Sequence, residues 1–461
     1  MNAITHIAER KLFEVSLSAA VRNAKKDPTK GYADIVDAIE TILGDGWKPG
    51  AYTALRAALG NDGKWTAYIN DLLARSDPVY LKGLMLSLGF EGGFSGFRRT
   101  RESAKQYGIQ IPWIILFDPT SSCNLHCEGC WASEYDRSKN LTPEDMDSLV
   151  RQGKKLGIHE YVMTGGEPLC RKDDILRLAR NHSDCGFMIF TNGTLVDQKL
   201  CEDLLDCKNI LLVLSIEGFR EETDARRGRG VFDRVVRAMD QMRDNGLVFG
   251  TSICYTRKNA GIVAGDEFLD FLIEKGVAFS WYFHYMPVGN DASADLIPTP
   301  QQREYLYHRI REVRGFEGGK PIFLMDFQND GEFVDGCIAG GKHYCHINAN
   351  GDVEPCVFIH YSEANIHDTS LLDCLRQPLF KAYQAEQPFN SNMLRPCPML
   401  ENPDRLRALI EKTGAESTDM LSPESSEHLC SKCDAFAREW APTAEKLWAA
   451  GHPAGSSPGP D

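Results

Sequence analysis

The first 122 residues contain no cysteine, although the whole chain of 461 residues holds 15. Long apolar runs are also missing. The longest are strand-sized, well short of the ~20 apolar residues a membrane-spanning helix needs, so no membrane span is expected. Positive charge is in deficit, with 51 Lys+Arg against 65 Asp+Glu and a formal net charge of −14. An acidic chain without a long basic run is a poor electrostatic match for nucleic acid or an anionic membrane surface. The opening "MNAITHIAERKLFEVSLSAAV" lacks a compact apolar core and a cleavage pattern, so no signal peptide is expected and the protein is read as cytoplasmic. No repeat of fixed period is visible. An odd number of cysteines in such a chain favours metal or redox chemistry over disulfides.

The length suggests two or three domains. Residues 1–110 read as helical, with apolar residues three and four apart in "GYADIVDAIETILG" and "WTAYINDLLARS". "GFEGGFSGF", Gly89 to Phe97, reads as a glycine-rich flexible connection, since no lysine or serine follows in phosphate-binding register. From Ile111 strand and helix signals alternate. Expected strands are Trp113–Phe117, Tyr161–Thr164, Phe187–Phe190, Ile210–Ser215, Val248–Tyr255 and Phe279–Tyr285. One intervening helix has Thr142 as N-cap and Pro143 at its first position. Six such units imply parallel βαβ winding, either an open sheet or a partial barrel, with ligands at the carboxyl ends of the strands. After about residue 320 the alternation fades into a cysteine-rich region. A last helix is expected over Ala435 to Ala449, and residues 451–461, "GHPAGSSPGPD" from Gly451, read as a disordered tail.

Cys123, Cys127 and Cys130 fall within eight residues, just past the first strand. Structural zinc usually takes four ligands, and only His126 is near enough in sequence to be the fourth. Three thiolates without a fourth suit a [4Fe–4S] cluster with one iron open to a substrate or cofactor. At the next strand ends stand "MTGGEP" (Met163 to Pro168), "TNGT" (Thr191 to Thr194) and "SIEG" (Ser215 to Gly218). Gly165 and Gly166 carry no side chain to block close approach of a ligand.

In this order and spacing the motifs resemble the radical S-adenosylmethionine (radical SAM) superfamily. The resemblance implies an α/β fold: a partial (β/α)6 TIM-like barrel over residues 111–320, with an N-terminal helical domain and a small cysteine-rich C-terminal domain over 321–450. It implies that Cys123, Cys127 and Cys130 hold a [4Fe–4S] cluster that binds SAM, and that the SAM contacts are Gly165, Gly166, Glu167, Pro168, Thr191, Asn192, Ser215 and Glu217. Arg226 and Arg227 are placed to meet the SAM carboxylate or to be salt-bridged. The family usually has an aromatic residue before the third cysteine. Here Gly129 stands there and Trp131 follows Cys130, so Trp131 is the candidate to cover the adenine. The implied chemistry is reductive cleavage of SAM to methionine and a 5′-deoxyadenosyl radical, which takes a hydrogen atom from the substrate.

Further on, Cys337-x13-Gly351-x4-Cys356 resembles the opening of a SPASM domain, the auxiliary-cluster module of many peptide-modifying relatives. "NANGDVEPC" reads as a hairpin that brings Cys345 and Cys356 close together. The dense four-cysteine run of that module is missing; Cys374, Cys397 and Cys430-x2-Cys433 stand instead. One auxiliary [4Fe–4S] cluster is expected on Cys337, Cys356 and Cys397, with Cys345, Cys430 or Cys433 as the fourth ligand. The other cysteines, such as Cys185 and Cys201, read as core or surface thiols. The expected substrate is a peptide or protein side chain, with a tetrapyrrole, a lipid or another small molecule as the alternative. A non-catalytic iron–sulfur electron carrier is the competing class, which would have no need of SAM contacts at other strand ends. The resemblance implies reduced ferredoxin or flavodoxin as electron donor. No catalytic acid or base is legible, although Asp118, Tyr255, His284 and Tyr285 lie near strand ends. The helical first 110 residues are read as either a docking surface or a lid.

Overall fold

The computed structural model describes residues 3–24, 32, 36–37, 40, 49–59, 63–316 and 319–452. Most of "GYADIVDAIETILG", where a helix is expected, and residues 453–461 of the expected disordered tail lie outside the described residues.

Seven parallel strands follow one another in chain order: β1 (Ile114–Phe117), β2 (Glu160–Met163), β3 (Gly186–Thr191), β4 (Ile210–Ser215), β5 (Phe249–Tyr255), β6 (Phe279–His284) and β7 (Phe323–Asp326). The chain folds as an α/β partial TIM-like barrel. β1 to β6 coincide with the six apolar runs to within two residues at each end. Buried β-branched and aromatic residues alternate along them, as in Phe187 and Ile189 of β3 or Ile253 and Tyr255 of β5. The connecting helices carry their own start signals. Thr142 accepts from the Asp145 N–H and Asp145 accepts in return, with Pro143 at the first helical position.

β7 escaped the sequence because its four residues stand alone after a helix, with an exposed phenylalanine at the start. The sheet also runs past residue 320 at its other edge. β8 (Tyr344–Ile347) pairs in parallel with β1, and β9 (Val353–Glu354) pairs antiparallel with β8. The cysteine-rich region is thus stitched to the first barrel strand, next to the cysteine loop. Its last helix, Ser426–Gly451, begins nine residues earlier than expected, at the Ser425 cap.

"GFEGGFSGF" is not a flexible connection. It belongs to a helix with wide turns, Met85–Gly96, that runs into Phe97–Tyr107. A side chain at Gly92 would overlap the Glu160 carboxylate, and one at Gly96 would lie 2.9 Å from the Gly157 carbonyl. These glycines let the helix press against the barrel, which no flexible segment requires. The N-terminal helices close the end of the barrel where strands begin. The Tyr80 hydroxyl donates to the carbonyl of Ile210, at the start of β4, and Tyr68 to that of Ala278, just before β6. The described residues of these helices therefore sit opposite the cysteine loop and form no lid over it. Among the described residues no helix is long and apolar enough to cross a membrane.

Candidate active site

β1 is followed by buried Asp118, and the chain then turns into the cysteine loop. Two backbone bonds lash that loop to the end of β2: Gly166 N–H to the Thr120 carbonyl at 2.9 Å and Glu167 N–H to the Ser122 carbonyl at 2.8 Å. Gly165 has φ +106° and its missing side chain would sit 2.5 Å from the Thr120 carbonyl; one at Gly166 would overlap the Ser122 carbonyl. The two glycines thus admit the cysteine loop itself, and the two N–H groups are engaged there.

Cys123, Cys127 and Cys130 share the wall of one cavity of about 190 Å³. Burial pushes the Cys123 thiol up to about 11 and raises Cys130 as well. Such thiols ionise when a metal takes the place of their protons. Trp131, Gly165, Gly166, Glu167, Thr191, Asn192 and Ser215 line the same cavity, whereas Pro168 and Glu217 do not.

Most of these polar groups already have partners. The buried Glu167 carboxylate accepts from Thr191 Oγ1 at 2.6 Å, from Asn192 N–H at 2.8 Å and from Leu169 N–H at 3.0 Å. It straps β2 to β3. Burial raises Glu167 above the usual carboxylate range, and these bonds oppose the shift. Asn192 Nδ2 reaches back to Asn124 in the cysteine loop. Glu217, fully buried, accepts from Arg226 and Arg227 at 2.5 Å each and from the Cys254 N–H at 3.1 Å. Arg227 lies 4.0 Å from the Cys127 sulfur. The strand ends are therefore braced to one another and to the cysteine loop, and Ser215 is left as a hydroxyl facing the cavity.

Trp131 packs edge-on against Tyr135, His346, Phe358 and His360. Behind it His346 is clamped between two carboxylates, with Asp118 Oδ2 3.1 Å from Nε2 and Glu354 Oε2 2.5 Å from Nδ1, all three fully buried. Burial disfavours the imidazolium, but Asp118 and Glu354 outweigh it and lift His346 to about 10. A histidine raised in the folded state contributes stability that is complete below its ordinary 6.5 and disappears as pH rises through about 10. His346→Gln is expected to cost about 3–5 kcal/mol at pH 6, because two buried carboxylates lose their cation. Urea unfolding at pH 6 and pH 9.5 checks it: the deficit relative to wild type must shrink at the higher pH, and a constant deficit contradicts the assignment.

A second cavity, of about 430 Å³, is lined by Cys337, Cys356 and Cys397 together with Tyr344 and Tyr383. The expected hairpin is present, with Gly351 at φ +90° in its turn. It does not bring Cys345 to Cys356, however. Strand alternation turns Cys345 into the barrel core beside Cys374, while Cys356 faces the second cavity. Cys430 and Cys433 are buried on the last helix and are not part of the cavity wall. The two cavities share Met286 and Phe358 on their walls.

Residues 117–258 match the radical SAM superfamily, and residues 337–399 match an iron–sulfur cluster-binding domain, SPASM. The chain is a SPASM-type radical SAM enzyme. An AdoMet-dependent heme synthase of Oleidesulfovibrio alaskensis is 26% identical over 332 residues, covering 65% of this chain and 81% of that protein. The mycofactocin maturase MftC of Mycolicibacterium smegmatis is 27% identical over 279 residues, covering 57% and 67%. Streptococcus suis SuiB bound to S-adenosylmethionine shares the fold, with a TM-score of 0.54 and 20% identity over 65% of this chain and 75% of that one.

The radical SAM enzyme uses SAM, a [4Fe–4S] cluster that binds it, and an auxiliary cluster. Two groups of three thiols on adjoining cavities fit such cofactors in donor chemistry, soft thiolates being the usual ligands of iron–sulfur clusters. The sequence did not single out Tyr344, Tyr383, Met286 or Phe358; their place on the cavity walls beside the cysteines marks them.

Proposed function

We propose that Cys123, Cys127 and Cys130 hold the SAM-binding cluster, that Cys337, Cys356 and Cys397 hold the auxiliary one, and that the enzyme abstracts hydrogen from an apolar side chain of a peptide or protein. When bound, the SAM-binding cluster and SAM supply an electron and a 5′-deoxyadenosyl radical as hydrogen acceptor. The chain's own residues do the rest. Gly165 and Gly166 seat the cysteine loop, Glu167 fixes the ends of β2 and β3, and Ser215 and Trp131 offer a hydroxyl and an aromatic face to SAM. Phe190, Phe283 and Phe358 keep water from the reacting atoms. Reduced ferredoxin or flavodoxin is the proposed donor, and the cytoplasm the proposed location. The helical residues 1–110 are proposed as a base that stiffens the barrel from the far end.

One observation carries the substrate class. The lysine and arginine residues on the two cavity walls are Arg226, Arg227 and Arg314. Each is already paired, the first two with Glu217 and the third with Asp330 at 2.6 and 2.7 Å. A substrate with several carboxylates, such as a tetrapyrrole, would have to enter without a partner for its charge, which is costly in a buried site. An uncharged side chain carries no such penalty, and aromatic walls suit it. SuiB has been captured bound to its precursor peptide SuiA.

The test is anaerobic, with reconstituted enzyme, SAM and dithionite. A pool of synthetic peptides carrying Leu, Val, Phe or Tyr is expected to raise 5′-deoxyadenosine above the substrate-free level and to include peptides of altered mass. Coproporphyrin III is expected neither to raise it nor to bind in a visible titration. The reverse pattern would replace a peptide by a tetrapyrrole, and full iron loading with no 5′-deoxyadenosine under any reductant would leave an electron carrier.

A further inference from the structure

The auxiliary cavity presents three thiols where a cubane cluster has four irons to ligate. The remaining cysteines of the region are not on the wall of this cavity. Cys345 and Cys374 pack in the barrel core, and Cys430 lies against Arg407 and Asp434. Cys433 is buried beside Cys430 on the last helix. Tyr383 shares the cavity wall with the three thiols. It is fully buried, lines the cavity with Cys337, Cys356 and Cys397, and its hydroxyl has no hydrogen-bond partner. A buried phenol without a partner is costly and calls for a reason.

The surroundings hold this ring in place. Phe389 packs edge-on at 5.0 Å. Gly340, at φ +67°, lets the backbone pass so close that a Cβ there would be 2.6 Å from Tyr383 Cδ1. The other tyrosine of the cavity, Tyr344, is already engaged, its hydroxyl 2.7 Å from the Cys356 sulfur.

We propose that the auxiliary cluster is held by Cys337, Cys356 and Cys397 and that the phenolate oxygen of Tyr383 is its fourth ligand. The Tyr383 O–H bond gives way to an O–Fe bond and the proton leaves to water; no electron moves. Oxygen is a harder donor than thiolate, so one iron of the cluster differs from the other three. The inference rests on the reading that these cysteines carry a cluster, and the experiment separates the two.

The SAM-binding thiols are first removed together (Cys123→Ala, Cys127→Ala, Cys130→Ala), so that any cluster bound by the full chain is the auxiliary one. After anaerobic reconstitution, iron near four per chain is expected, with resonance Raman phenolate bands. Tyr383→Phe keeps the ring packing. It is expected to abolish those bands, to shift the reduced-state EPR spectrum and to leave an iron that binds added imidazole. Tyr383→Cys is expected to keep four irons without phenolate bands or imidazole binding. Four irons with no phenolate bands before the Tyr383 change, or an EPR spectrum that Tyr383→Phe leaves unaltered, would overturn the fourth-ligand assignment alone. No iron in the starting variant would overturn the cluster reading with it.

Discussion

Cys127→Ala abolishes formation of 5′-deoxyadenosine from SAM under anaerobic, reducing conditions, and bound iron falls from about eight to about four per chain. The expectation follows from where Cys127 sits. It is half-buried on a loop, so truncation removes little packing and changes stability by about 0.5 kcal/mol or less. Its sulfur faces the cavity 4.0 Å from Arg227, with Cys123 and Cys130 on the same wall. Two thiols cannot replace three around a cubane that must also leave one iron for SAM. Circular dichroism should therefore be unchanged while chemistry is lost. Cys201→Ala is the control: that thiol is buried on the outer side of the barrel in helix Gln198–Cys207, and its loss should leave iron and product at wild-type levels. Residual 5′-deoxyadenosine in Cys127→Ala, or loss of iron in Cys201→Ala, would move the cluster away from the three-cysteine loop.

The barrel strands are legible because each is an apolar run followed by helical sequence, and some of those helices have capped starts. Thr142 with Pro143, and Thr299 with Pro300, are such starts. The cysteine loop was legible because three thiols at that spacing serve few purposes. What could not be read is what depends on pairing partners. "GGEP" looks the same whether or not its glycines also make room for the Ser122 carbonyl, which the structure shows, with both glycines on the cavity wall. Glu167 and Thr191 have the polarity of ligand contacts, yet their 2.6 Å bond is a strut between adjacent strands. On the sequence, a hairpin places Cys345 and Cys356 close together. A two-fold strand period sends one to the core and the other to the cavity, and only register decides which. "GFEGGFSGF" has the composition of a loop, and only the nearness of Glu160 and Gly157 explains why glycine serves a packed helix there.

The auxiliary site depends on a buried charge pair. Arg303 and Glu401 are both fully buried and meet at 2.5 Å. Arg303 also donates to Asn329 Oδ1 at 2.9 Å and to the Leu394 carbonyl at 3.1 Å, and its guanidinium lies 4.4 Å from the centre of the Trp440 ring. The second carboxylate oxygen of Glu401 accepts from the Cys397 N–H at 2.7 Å. A helix beside β7, the loop bearing Cys397 and the last helix are thus tied through one guanidinium. Arg303→Met leaves Glu401 buried without its cation, and burial already pushes that carboxyl above its ordinary range. The expected cost is about 3–5 kcal/mol in urea unfolding. Cys397 should lose its fixed position as well, so auxiliary iron falls before the SAM-binding iron does. Adding Glu401→Leu should recover part of the stability, since no lone charge remains. It should not restore the iron, because the Cys397 N–H is then without its acceptor. Recovery of iron in the double variant would mean that Glu401 acts on the fold alone; a single variant as stable as wild type would mean that the pair is not the brace its burial implies.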